Sequence, residues 1–260
     1  MKHSARQRTL LTLTLLILML VSIAPAAAAP YALPDGPTAA ILLSGTYSQD
    51  FDTLVSSGTS SVLPGGWALA EGGTNANATY TAGTGSSTAG DTYSFGASSN
   101  TERAFGTLQS GSLVPTIGAE FQNATNAVIT SLAIGYNCEH WRIGVTSRGA
   151  ADRLDLQYST DATSLTTGTW IDVDALDCLS TVTSGTAGAL DGNSNRTAVS
   201  NNIGGLSIAN GNGFWLRWTD FNISGSDDGL GIDDFVITPA SSGGDAAPSV
   251  TSTVPANNAP

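Results

Sequence analysis

Along the middle of the chain, apolar and polar side chains alternate with a period of two. Val128, Thr130, Leu132, Ile134 and Tyr136 follow such a pattern, and Trp141, Ile143 and Val145 continue it. Leu154, Leu156 and Tyr158 form the next apolar face, with Asp155, Gln157 and Ser159 opposite. Period two marks a half-buried strand, because successive side chains leave a pleated backbone on opposite faces. The pattern predicts strands over 117–121, 128–136, 141–145, 154–158, 170–173, 196–200, 213–221 and 229–238, with a first strand around Phe51. Pro64-Gly65-Gly66-Trp67 reads as a turn delivering a tryptophan inward, Asn123-Ala124-Thr125-Asn126 as a hairpin turn and Asp191-Gly192-Asn193 as a loop. Residues 71–90, rich in Gly, Thr, Ser and Asn, read as loops with one short strand at 79–81. No window carries a helical stripe, and no internal repeat is present. The fold class predicted is all-β: an antiparallel, jelly-roll-like β-sandwich over 46–239.

The flanks differ in composition. Lys2, Arg6 and Arg8 precede an apolar run from 10 to 23, and Ala26-Ala27-Ala28-Ala29 supplies small residues for cleavage near Ala28. Residues 1–29 read as a signal peptide, since about 14 apolar residues fall short of the roughly 20 that span a bilayer. No later segment reads as a membrane span. Residues 30–45, with Pro30, Pro34 and Pro37, read as a leader arm or an early irregular strand, and 240–247 as a linker. Residues 248–260 resemble the opening strand of a bacterial immunoglobulin-like module, as if a further domain begins there.

Export changes the charge balance. Lys2 is the only lysine, so the mature part keeps six arginines against all 21 carboxylates, a net charge of −15. So acidic a surface repels phosphate backbones and anionic lipid, which argues against nucleic-acid binding by this domain. Cys138 and Cys178 are the only cysteines. An even count in an exported chain favours a disulfide, the alternative being two independent buried thiols.

The densest chemistry lies near the end, where Asp227-Asp228-Gly229 runs into Ile232-Asp233-Asp234-Phe235. Asp227, Asp228, Asp233 and Asp234, with Asp52, could supply the oxygens that calcium requires. The alternative is a solvated turn with Asp233 or Asp234 paired to an arginine such as Arg217. Catalysis finds little support. His140 is the single histidine of the mature part and reads as an exposed strand-end residue, with no Gly-x-Ser-x-Gly elbow to accompany it. Glu71, Glu102, Glu120 and Glu139 read as surface residues, with Glu102–Arg103 and Glu139–Arg142 as salt-bridging pairs. Among the five tryptophans, Trp67, Trp141, Trp170, Trp215 and Trp218, most read as core. Phe214, Leu216 and Trp218 share the buried face of one strand, leaving Trp215 and Arg217 as the surface candidates for stacking a sugar ring.

Several phrases between Tyr47 and Pro239 carry a resemblance. They include Asp50-Phe51-Asp52-Thr53-Leu54, Gly66-Trp67, Gly90-Asp91-Thr92-Tyr93-Ser94-Phe95-Gly96, Asp152-Arg153-Leu154-Asp155 and Phe214-Trp215-Leu216-Arg217-Trp218. The run is similar to an N-terminal β-sandwich module of large secreted bacterial proteins, some with downstream immunoglobulin-like, lamin-tail or endonuclease/exonuclease/phosphatase domains. The resemblance implies no catalytic role for the module itself. A second likeness, to MAM-type jelly rolls, implies that the first and last strands pair, so that Asp50 or Asp52 meets Asp233 or Asp234 around a cation.

The functional expectation is a secreted, non-catalytic module that binds carbohydrate or a cell-surface component, or acts as a spacer, with calcium as a structural cofactor. The alternatives are an accessory part of an extracellular nuclease or phosphatase whose catalytic domain lies beyond residue 260, and a structural adhesin.

Overall fold

The computed structural model describes residues 39–145 and 150–242. The expected signal peptide, the arm up to residue 38, most of the linker and the segment 248–260 lie outside the described residues. The described residues hold sixteen strands: β1 (Ile41–Leu43), β2 (Tyr47–Gln49), β3 (Thr59–Ser60), β4 (Trp67–Gly72), β5 (Tyr80–Gly83), β6 (Asp91–Phe95), β7 (Ala104–Leu108), β8 (Val114–Asn123), β9 (Ile129–Ile143), β10 (Arg153–Ser159), β11 (Ile171–Asp172), β12 (Cys178–Leu179), β13 (Gly188–Ala189), β14 (Arg196–Ile208), β15 (Gly213–Asp220) and β16 (Gly229–Ser241). A single 3-10 turn, Asp174–Leu176, separates β11 from β12.

The strands form two facing sheets, as the alternating pattern predicts. In the seven-stranded sheet β8, β15 and β10 form the centre. There β1 and β4 both pair with β8, and β11 and β12 both pair with β10. In the nine-stranded sheet β9 and β16 are central; β13 and β14 pair with β9, and β2 and β7 with β16. The sheet then continues through β6, β5 and β3. The ladders are antiparallel except for β1–β8 and β5–β6.

Between the sheets lies an aromatic core. Trp67 packs edge-on against Phe51 at 4.6 Å and Phe235 at 5.4 Å, and stacks on Trp218 at 6.0 Å. Leu132, Ile134 and Tyr136 of β9 and Leu154 and Leu156 of β10 complete the two inner faces. Cys138 of β9 and Cys178 of β12 form a disulfide that joins one sheet to the other.

Four expectations change. The 123–126 turn does not make a hairpin, because β8 and β9 belong to different sheets. A turn signal specifies reversal of the chain, not edge-to-edge pairing. Here the apolar faces of the two arms meet across the core. Of the two readings of 30–45, the early strand holds for Ile41–Leu43, which runs parallel to β8 and so extends the sandwich ahead of the expected start at residue 46. Phe51 stands not in a strand but in a turn after β2, with φ 57°, and is fully buried. That left-handed conformation costs an aromatic residue roughly 1–2 kcal/mol, which burial of the ring offsets.

The fourth change is in β16. Asp233 pairs with Asn137 but Val236 pairs with Gly135, so β16 carries one residue more than its partner. The bulge, with Asp234 at φ 51°, lets both Ile232 and Phe235 face the core although they are three residues apart. No helix of the described residues is long and apolar enough to cross a membrane.

Candidate functional site

The bulge in β16 scatters the acidic segment instead of gathering it. Asp234 is exposed and accepts a hydrogen bond from Asn137 Nδ2 at 2.8 Å. It lines a shallow notch with Ser48, Gln49 and Asp50. β2 and β16 do pair, Gln49 opposite Phe235, which brings Asp50 to this notch as the jelly-roll resemblance implies. Asp52 goes elsewhere: its Oδ1 accepts from the Arg103 backbone N–H at 3.1 Å. Asp227 and Asp228 lie in the approach to β16. Asp228 Oδ1 accepts from Gly144 N at 2.7 Å and Oδ2 from Ser180 Oγ at 2.6 Å, while Asp227 Oδ1 accepts from Ile223 N at 3.1 Å. The candidate aspartates therefore divide among neighbourhoods: Asp50 with Asp234 at the notch, Asp227 with Asp228 in the approach to β16, and Asp52 and Asp233 each elsewhere.

His140 is a related correction. It is fully buried, not exposed at a strand end. Its Nδ1 accepts from Val182 N at 3.3 Å, and its Nε2 lies 2.8 Å from Arg142 O and 3.4 Å from Asp228 Oδ2. That arrangement fits the neutral tautomer protonated at Nε2 and holds the ring as a structural post.

Asp233 instead meets two glutamates read as surface residues. Cys138 points into the core, so Glu139 next to it on β9 faces outward, beside the β16 bulge. Glu102 reaches the same place from the loop between β6 and β7. One carboxylate oxygen from each of Glu102, Glu139 and Asp233 lies within 4.8 Å of the other two, a set that could hold a metal ion. Glu139 is 0% exposed and Asp233 4%. Glu139 Oε2 accepts from Trp141 Nε1 at 2.9 Å, and Glu102 accepts from Asn193 Nδ2. Glu102 Oε1, Glu139 Oε1 and Asp233 Oδ1 are buried without a hydrogen-bond partner. The cation nearest Glu139 is Arg196, 3.9 Å away and half solvated. Burial pushes Asp233 up to about 8 and Glu139 up to about 7.

The expected arginine partners are engaged elsewhere. Arg142 donates to Gly85 O at 3.0 Å, and Arg103 donates to Ser94 Oγ at 2.8 Å and to the Ser94 carbonyl. Glu71 is likewise buried, not surface, and holds Thr92 and Asn77 through four accepted hydrogen bonds. The sequence carried one clue to the buried glutamates: each sits in a strand within two residues of core side chains, Leu69 and Ala70 for Glu71, Cys138 and Trp141 for Glu139. Only strand register places Glu139 beside Asp233.

The outer face of the seven-stranded sheet has a different character. Along β10 and β15 the side chains opposite the core are Arg153, Asp155, Gln157, Trp215, Arg217 and Thr219, and the register sets Gln157 against Arg217. Arg217 Nε donates to Gln157 Oε1 at 2.7 Å and Nη1 to Leu165 O at 2.6 Å. Its guanidinium lies 3.9 Å from the centre of the Trp170 ring. Trp170 is half-buried, its Nε1 donating to Thr167 O at 2.8 Å. Arg153 stacks at the same 3.9 Å on Phe221, which is 44% exposed. Trp215 is on this face as expected but is only 6% exposed, packed with Leu165 and Ala70. The strand pattern gave its face correctly. It could not reveal that the 160–169 loop folds over the ring. Trp170, counted with the core tryptophans, is the more accessible one.

No protein-family model matches the chain, and no curated protein matches it. The phrases shared with secreted bacterial modules thus have no family match behind them. Solved structures give remote likenesses. The CBM22-1 xylan-binding domain of Paenibacillus barcinonensis Xyn10C is 10% identical over 78% of this chain and 99% of that one, with a TM-score of 0.35. TmCBM61, solved with β-1,4-galactotriose, is 12% identical over 55% of this chain and 74% of that one, TM-score 0.30. The K3 cleaved adhesin domain of Lys-gingipain from Porphyromonas gingivalis is 11% identical over 55% and 76%, TM-score 0.34.

Proposed function

We propose that the sandwich is a non-catalytic extracellular recognition module that binds carbohydrate on the outer face of its seven-stranded sheet. The observation that carries this reading is the half-buried Trp170 ring, fixed against Arg217 beside Gln157 on a regular strand surface. A planar apolar ring next to fixed amide and guanidinium donors is the chemistry that recognises a sugar's apolar face and its hydroxyls. Arg153 with Phe221 repeats the motif along the same strands, four residues from Gln157, about 13 Å at strand rise. That spacing suits an oligosaccharide laid along β10 and β15. His140, held by backbone groups on both ring nitrogens, argues for a binding role over a hydrolytic one.

The test is affinity electrophoresis or calorimetry of the purified protein against a polysaccharide panel. Binding to at least one glycan, weakened at least tenfold by Trp170→Ala with unchanged unfolding, is expected. No binding across the panel, or binding indifferent to Trp170→Ala, refutes the reading.

A further inference from the structure

The carboxylates of Glu102, Glu139 and Asp233 are an electrostatic problem that the protein alone leaves unsolved. Three acidic groups converge within 4.8 Å on the outer side of the nine-stranded sheet, two of them almost fully buried. Each keeps one buried oxygen with no hydrogen-bond donor. Orphaned carboxylate oxygens in such a place cost several kcal/mol unless something pairs with them. Arg196 does not suffice, since its guanidinium stops 3.9 Å from a single oxygen of Glu139 and is 43% exposed. A proton cancels one charge and can donate to only one neighbouring oxygen, which leaves the third unpaired. A divalent cation cancels two charges and pairs with all three.

We propose that Glu102, Glu139 and Asp233 form a calcium site. The donor set is oxygen only, which disfavours zinc and copper and suits a hard cation. Calcium carries its oxygens at about 2.4 Å, so opposite ligands stand about 4.8 Å apart. The three donors lie within that span of one another, and three protein carboxylates suit calcium better than magnesium, which usually keeps several waters and takes only one or two carboxylates. Remaining coordination is left for water, as calcium accepts six to eight oxygens. The ion ties three separate pieces of chain together: β9, the bulge of β16 and the loop between β6 and β7. Through Asn193, which donates to Glu102, it also steadies the loop before β14, whose Gly192 lies so close to the Trp141 indole that a Cβ there would sit 2.3 Å from the ring. Its role is structural and independent of any ligand on the opposite sheet.

Thermal unfolding of the purified protein in chelator, calcium and magnesium tests the site. Calcium at a hundredfold excess over its dissociation constant should raise the midpoint by roughly 5–10 °C. Asp233→Asn and Glu139→Gln should abolish that rise, and both should melt in chelator no lower than the native sequence, because a like charge is gone. Asp50→Asn, at the separate notch, should keep it. Should either variant fail to fold, terbium gives an independent reading. Bound at this site it is sensitised by Trp141, which donates to Glu139, so Trp141→Phe should lose most of the emission yet retain the calcium shift. No calcium shift, an equal shift with magnesium, a shift surviving in both carboxylate variants, or terbium emission surviving Trp141→Phe would each overturn the assignment.

Discussion

The Cys138–Cys178 bond offers the sharpest test of how the two sheets are held together. It closes a loop of 40 residues and joins β9 of one sheet to β12 of the other. Fixing a loop of that length removes unfolded-state entropy worth about 4 kcal/mol. The segment it anchors is short of ladder pairs. β11 and β12 contribute only two register pairs each to β10. Single contacts add to these: Tyr136, whose hydroxyl donates to Leu176 O, the buried Leu176, Leu156 N donating to Asp177 Oδ1 at 2.9 Å and Ser180 N donating to Asp152 O at 2.8 Å. Reduction, or replacement of both cysteines by alanine, should therefore lower the unfolding midpoint by roughly 8–15 °C for a domain of this size. Amide exchange should speed up first between Ile171 and Leu179, where the ladder is shortest, while β9 and β16 stay protected. Differential scanning calorimetry with and without reductant, followed by exchange mass spectrometry, measures both. A midpoint change under 2 °C, or faster exchange in β9 before β12, would refute the assignment of this bond as the principal clamp on that edge.

Two further outcomes follow from buried acids. Burial raises the Asp177 carboxyl from 3.8 to about 6 although Arg153 stands 3.4 Å away. The native state then binds more protons than the unfolded chain across that interval, so stability should fall as pH rises from about 4 to about 6. Asp177→Asn should flatten the slope of the urea midpoint over this window, and an unchanged slope counts against the argument. Glu71 accepts from Thr92 N and Oγ1, each at 2.9 Å, and from Asn77 N and Nδ2, each at 3.0 Å. Glu71→Ala strands those donors and should cost about 3 kcal/mol in urea unfolding, with Glu71→Gln recovering part of it; a cost below 1 kcal/mol refutes the role.

The sandwich was legible because its strands bury one face each. Leu154, Leu156 and Tyr158 against Asp155, Gln157 and Ser159 is a pattern that a helix cannot satisfy. The pairing of Cys138 with Cys178 was favoured by count and compartment, and the two sulfurs do meet. The candidate sites were harder to read because they depend on register and on loops. Leu230 and Ile232 are out of phase with Phe235 and Ile237, so strict alternation cannot place all four inside. The mismatch requires one extra residue between them, and the Asp233-Asp234 bulge is the result. That single irregularity separates Asp233 from Asp234 and defeats any reading of the segment as one cluster. Sequence alone places Glu102 and Glu139 in solvent, where glutamate usually is. Their burial follows from the Trp141 and 190–195 packing above them, contacts with no local signature.

The two outer faces of the sandwich divide their chemistry. On the nine-stranded sheet, Tyr93, Phe95 and Trp141 stack under covering loops, and Glu139 and Asp233 are buried beside them with the half-buried Glu102. A surface closed in this way can exchange an ion but cannot receive a polymer. On the seven-stranded sheet the loop from 160 to 169 covers Trp215 and stops at Trp170, leaving the strip from Arg153 to Gln157 partly open to solvent. Side chains there are already fixed by Arg217–Gln157 and Arg153–Asp155 contacts at 2.7 and 3.0 Å, so little rotamer freedom remains to be lost when a ligand arrives. The two sites share no residue and lie on opposite sheets with the packed core between them, so stiffening the closed face should leave affinity on the open one unchanged. Calcium and glycan should therefore bind additively. A coupling of more than about 1 kcal/mol between them, measured as a glycan affinity that shifts with calcium, would show that the sheets are not mechanically independent.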